Sequence, residues 1–180
     1  QGFFDIPVDH LYGANVLADY IKSLKLENLI VASPDVGGSK RAAAFCKKLH
    51  QIQGEEVPMV ICYKHRPDAN QISELRVLGD VKGKNVVIID DIADTAGTLC
   101  KAASMMKQEG ALSVRALVSH GIMSGPACER IADSELEELI FTDSIPNDYL
   151  QQIIEFGERR NEPVVFLNEH EMIASVPHNE

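Results

Sequence analysis

The stretch Val86-Val87-Ile88-Ile89-Asp90-Asp91-Ile92-Ala93-Asp94-Thr95-Ala96-Gly97-Thr98 decides how this chain is read. Four β-favouring apolar residues in a row predict a strand buried on both faces, as in a parallel sheet. Two adjacent carboxylates follow, then a third, and Thr-Ala-Gly-Thr turns the chain into a helix. The first turn of a helix offers amides without carbonyl partners and the positive end of the helix dipole. With two hydroxyls beside them, Thr95, Ala96, Gly97 and Thr98 make a site for a phosphate monoester. Gly97 is expected to let the backbone approach that phosphate closely. Carboxylates repel phosphate, so Asp90, Asp91 and Asp94 must face something else: sugar hydroxyls, which donate hydrogen bonds, or a divalent cation. A phosphate at one end and vicinal hydroxyls at the other describe a pentose 5-phosphate.

Outward from this stretch, apolar runs at 29–32, 57–63, 114–118, 139–142 and 164–167 read as further strands. Helical patterns alternate with them at 11–24, 39–49, 98–109, 125–131 and 148–160, and 51–56 reads as a polar surface loop. In the helix after the decisive turn, Leu99, Ala102, Ala103 and Met106 share one face, and Gly110 is a natural stop. This order predicts one α/β domain over 1–180, a parallel sheet with helices on both faces and right-handed crossovers. Ligands of such sheets bind beyond the carboxyl ends of the strands.

Composition narrows the function classes. The chain has 180 residues, 45% of them hydrophobic and 24% charged, which is a globular composition. Seventeen Lys+Arg against 27 Asp+Glu leave a net charge of −10, a poor balance for neutralising nucleic-acid phosphates. No apolar run approaches the roughly 20 residues of a membrane span. Gln1-Gly2-Phe3-Phe4-Asp5 carries neither an initiator Met nor a basic signal-peptide n-region, so a cytoplasmic protein, or a piece of one, is expected. Cys46, Cys62, Cys100 and Cys128 are far apart in apolar or helical settings and read as small buried hydrophobes.

Two more strand ends carry chemistry. Ser33-Pro34-Asp35-Val36-Gly37-Gly38 follows one strand and opens a helix. Its paired glycines allow an open backbone near a polyphosphate, and Asp35 could reach a magnesium ion. The same segment could equally be a plain Gly-rich turn, and it lacks the Walker A spacing. Lys40 and Arg41, just after it, read as solvated helix charges. Lys64-His65-Arg66, after the 57–63 strand, is either a basic surface loop or a lid that brings cations over phosphates. His120 reads as a hydrogen-bonded structural histidine at a strand end. In Ser124-Gly125-Pro126 the serine reads as a helix N-cap.

Taken together these segments resemble ribose-phosphate pyrophosphokinase, on the type I phosphoribosyltransferase fold. The resemblance rests on Asp90-Asp91-x-x-Asp94-Thr95-x-Gly97-Thr98 together with four other segments and the N-terminus. These are residues 1–9, Ser33 to Gly38, Gly79-Asp80-Val81, His120 to Ala127, and Thr142-Asp143-Ser144-Ile145-Pro146. It covers approximately the C-terminal half of that enzyme, to about Glu158. The family implies transfer of the diphosphoryl group of ATP to O1 of ribose 5-phosphate, giving phosphoribosyl diphosphate and AMP. It implies Asp90, Asp91 and Asp94 to Thr98 on the sugar phosphate, Asp35 on Mg2+, and Lys64 and Arg66 in a catalytic lid, where His65 is a departure. It also implies a homo-oligomer, and an N-terminal domain with most of the ATP contacts that these residues do not include. Residues 172–180 lack the family's Ser-Val-Ser-x-x-Phe-like tail. Two alternatives remain, a phosphoribosyltransferase consuming phosphoribosyl diphosphate and a non-catalytic sensing subunit on the same fold.

Overall fold

The computed structural model describes Phe3, residues 5–65, 74–145, 165–166 and 173–175. In chain order its elements are α1 (Ala14–Ser23), β1 (Leu29–Ser33), α2 (Ser39–Gln53), β2 (Met59–His65), β3 (Glu74–Leu78) and β4 (Asn85–Ala93). There follow α3 (Gly97–Gln108), β5 (Ser113–Gly121), α4 (Ala127–Ala132), β6 (Glu138–Thr142), β7 (Val165–Phe166) and β8 (Ile173–Ser175). Among the described residues the sheet has eight strands, in the order β3-β2-β1-β4-β5-β6-β8-β7. From β2 to β6 every neighbouring pair is parallel. β3 pairs antiparallel with β2 at one edge, and β8 runs antiparallel to both β6 and β7 at the other. The expected parallel sheet is therefore correct for the centre and incomplete at the edges.

Nearly continuous apolar strands follow from burial on both faces. Ile30, Ala32, Val86, Ile88, Val114 and Ala116 pack with Leu99, Ala102, Ala103 and Met106 of α3. Their strand neighbours Val31, Val87, Ile89 and Leu117 point the other way, onto Leu17 and Ile21 of α1 and Phe45 and Leu49 of α2. Side chains alternate across a pleated strand, so a strand between two helical layers needs apolar residues at every position.

Helix α2 runs past the expected end at 49 to Gln53, where Gly54 (φ +81°) closes it by donating to His50 O at 2.8 Å. A residue tolerant of the left-handed region suits that stop, and the first half of the expected 51–56 loop is helix. The helix expected at 148–160 lies outside the described residues. At the amino ends of the strands, Arg115 binds Glu138 (3.2 Å) and Glu137 (2.9 Å) and donates to Ser113 Oγ (2.9 Å), which donates to Asn85 Oδ1 (2.6 Å). This network ties β4, β5 and β6 together at one end, leaving the carboxyl ends free for chemistry.

Candidate functional site

Strand β4 does not stop at Ile89. It carries Asp90 and Asp91 within the sheet, Asp90 opposite Val118 of β5, and ends at Ala93. The turn into α3 is made at Ala96, which stands in the left-handed region (φ +55°, ψ 7°) and caps the helix with no side-chain bond. A left-handed residue followed by right-handed ones turns successive amides to one side, a geometry suited to anions. The special backbone position is thus Ala96 rather than Gly97. What Gly97 provides is space: a Cβ there would lie 3.1 Å from Arg130 Nη1. Asp94 is held by the Ser124 hydroxyl, which donates to Asp94 Oδ1. Ser124 is therefore not the N-cap that the sequence suggests; Pro126 occupies that position of α4.

The two carboxylates of β4 share one cation. Arg41, from the first turn of α2, places Nη1 2.8 Å from Asp90 Oδ1 and Nη2 2.6 Å from Asp91 Oδ2. It is not the solvated helix charge expected from sequence. Burial, with the neighbouring charge of Asp91, pushes the Asp90 carboxyl up to about 6, while Arg41 and the Asp91 amide pull the other way. Gly38 leaves room for the Ser33 hydroxyl, since a Cβ there would lie 2.9 Å from Ser33 Oγ.

A cleft of about 1540 Å³ opens at the carboxyl ends of the strands, against the first turn of α3. Asp35, Lys64, Thr95, Gly97, Thr98 and Arg130 are among the residues on its wall. Asp35 is exposed in the β1–α2 turn, where its Oδ1 accepts the Gly38 amide at 2.8 Å. Buried Ser33 fixes that turn by donating to Asp35 O at 2.7 Å. Lys64 is exposed near the end of β2. Beyond Ile61 the β2 ladder pairs only with β3, so Lys64 stands on a two-stranded arm reaching past β1. Cys62, also at the cleft, is buried, and burial followed by the charge of Asp35 pushes its thiol up to about 12. A thiol held that high is a poor nucleophile at neutral pH. Among the described residues no three His, Cys, Asp or Glu side chains gather into a metal-binding group. A single exposed carboxylate still fits magnesium, which commonly uses one or two protein carboxylates together with substrate phosphates.

The family model described as "Phosphoribosyl synthetase-associated domain" matches residues 53–155, more than half of the chain. The chain belongs to that family. A ribose-phosphate pyrophosphokinase of Porphyromonas gingivalis is 58% identical over 147 residues, 81% of this chain and 45% of its own length. One from Helicobacter hepaticus is 51% identical over 146 residues, again 81% and 45%. The chain thus spans less than half the length of these curated relatives. Among solved structures, the phosphoribosylpyrophosphate synthetase of Mycobacterium smegmatis superposes with a TM-score of 0.72 at 35% identity. That match covers 85% of this chain and 47% of the other. An orotate phosphoribosyltransferase from Aeropyrum pernix (TM-score 0.55, 24% identity, 72% and 67% covered) shares the fold.

Within this phosphoribosyl synthetase-associated domain, the structure brings together Asp35, Lys64, Thr95, Gly97 and Thr98, which come from three separate strand ends. Asp90 and Asp91 face Arg41, Asp94 faces Ser124, and Ala96 is buried beneath the turn. Arg66 lies outside the described residues. His120, as expected, has a structural partner: its Nδ1 is 2.7 Å from Ser144 Oγ. All four cysteines are free thiols. The sequence reading missed Arg41 and Arg130, and it missed Ser124 as the partner of Asp94. Each reaches the site from another element, so no local spacing announces it. No helix among the described residues is long and apolar enough to cross a membrane.

Proposed function

We propose that this domain supplies the acceptor half of a ribose-phosphate diphosphokinase site. The reaction moves the diphosphoryl group of ATP to O1 of ribose 5-phosphate, giving phosphoribosyl diphosphate and AMP. One observation carries the reading: a single turn joins the carboxylates at the end of β4 to the amide-rich start of α3, in a family whose relatives bear that enzyme's name. The amides of the turn and the hydroxyls of Thr95 and Thr98 hold the 5-phosphate. Asp90, Asp91 and Asp94 accept hydrogen bonds from the ribose hydroxyls. Asp35 would hold Mg2+, which when bound neutralises polyphosphate charge. Lys64, with Arg66, meets the charge that gathers on the transferring group, because little covalent chemistry is left for the protein in such transfers. ATP would depend for its adenine contacts on the further half of the relatives' length.

The proposal places the protein in the cytoplasm as a homo-oligomer. The apolar side chains of Phe3, Ile6, Leu11 and Tyr12 stand exposed along the N-terminal segment, where a neighbouring domain or subunit would cover them.

The test is AMP release from ATP, Mg2+ and ribose 5-phosphate by these residues joined to the other half of the relatives' length. Lys64→Ala is expected to lose roughly 10²-fold in kcat with KM little changed, the scale of one lost electrostatic stabiliser. A rise in KM at unchanged kcat would make Lys64 a uniform binding residue and contradict its assigned role. Absence of any AMP release from the joined wild-type protein would remove the activity itself.

A further inference from the structure

Three successive carbonyls of the β4–α3 turn are taken up by the segment that follows β5. Ala93 O accepts the amides of Ile122 (2.9 Å) and Met123 (3.0 Å), and Asp94 O accepts that of Ser124 (2.9 Å). Thr95 O is met by a side chain instead: Arg130 Nη1 donates to it at 2.5 Å. The bent path of this segment is itself costly, since buried Met123 sits in the left-handed region (φ +57°). In a trans peptide the C=O and the following N–H point in opposite directions. Tying the carbonyls of 93, 94 and 95 to the 122–130 segment therefore turns the amides of Asp94, Thr95 and Ala96 away from it. They join the first-turn amides of α3, which have no carbonyl partners of their own.

Arg130 is built into this arrangement. Its own carbonyl accepts from Cys100 Sγ at 3.6 Å and its amide donates to Pro126 O at 2.9 Å, so the residue is anchored between α3 and α4. The guanidinium fits over the turn because position 97 is glycine. Both signs of charge border the same cleft, with Glu129, Asp133 and Glu135 beside Lys64 and Lys101.

We propose that Arg130 is a positioning residue for the phosphate of ribose 5-phosphate: by holding Thr95 O it keeps the Thr95–Ala96 peptide with its N–H toward the ligand. This rests on residues 90–98 being the sugar-phosphate site. Arg130→Met keeps the length of the side chain and removes the donor, and Arg130→Lys restores a donor. Two readouts are taken on the 180-residue chain: the amide NMR resonances of the turn without ligand, and ribose 5-phosphate affinity by calorimetry. In Arg130→Met the amide resonances of 95–98 should broaden as the turn samples more than one conformation, while those of Val87 and Leu117 in the central strands stay sharp and in place. Affinity should fall about tenfold or more, and Arg130→Lys should restore sharp turn resonances and an affinity within about threefold of wild type. Reduced affinity with unchanged turn resonances would make Arg130 a direct charge contact and overturn the positioning role. Unchanged affinity in Arg130→Met would overturn it as well. A wild-type chain that binds no ribose 5-phosphate would instead overturn the site reading, and this proposal with it.

Discussion

At Asp90 the fold sets burial and the charge of Asp91 against the guanidinium of Arg41, and the carboxyl comes out at about 6. Because its folded value lies above the ordinary 3.8, the protonated form favours folding. Its contribution to stability is present at low pH and is lost as pH rises from about 4 through about 6. Ribose hydroxyls donate to the ionised form, so sugar binding should lower this pKa and release a proton near pH 6. The ligand's own phosphate also titrates there, so the expected signal is a difference. Calorimetry at pH 6 in buffers of unlike ionisation enthalpy should show more proton release for wild type than for Asp90→Asn, with the gap gone at pH 8. Equal release at pH 6 would place the sugar elsewhere. Sequence showed the acids and the two threonines because they lie within nine residues of one another. Their partners are 49, 30 and 35 positions away, at Arg41, Ser124 and Arg130, and contacts of that span are created by the topology.

Among the elements, the β5–α4 connection does the most for the site, and Gly121 is where it leaves the sheet. A Cβ on Gly121 would lie 2.6 Å from Phe141 Cγ, and that ring is buried on β6. Gly121→Ala is expected to cost about 1–3 kcal/mol, as overpacking does. It should also weaken ribose 5-phosphate binding, since Ile122 to Ser124 hold the carbonyls of the turn. Urea unfolding read beside calorimetry checks both, and full stability in the variant would show that the ring yields. The central strands were legible because double-sided burial leaves an uninterrupted apolar run. β3 was missed although Leu75 and Val77 pack on the core while Arg76 and Leu78 are exposed, the alternation of a one-sided edge strand. Its antiparallel pairing extends β2 into the arm that carries Lys64, the cation proposed to meet the transferring group.

For the whole molecule, the parallel centre gathers the carboxyl ends of β1, β2 and β4 on one side, while the Arg115 network closes the other. Asp35, Lys64, Thr95, Gly97 and Thr98 thereby share a cleft without being near in sequence; the order of strands and helices pointed to the strand ends, and the family resemblance singled out Asp35 and Lys64 among them. The antiparallel edges were not foreseen, since β8 has only three residues and gives little pattern to read. The central claim is that the 90–98 turn recognises both ends of a sugar phosphate. Its most direct measurement is calorimetric titration of the 180-residue chain with ribose 5-phosphate and with ribose, in wild type and in Asp94→Ala. Wild type should bind ribose 5-phosphate and hold ribose far more weakly, and Asp94→Ala should lose about tenfold or more toward the phosphorylated sugar. Equal affinity of the two proteins for ribose 5-phosphate, or equal affinity of wild type for the two sugars, would contradict the account.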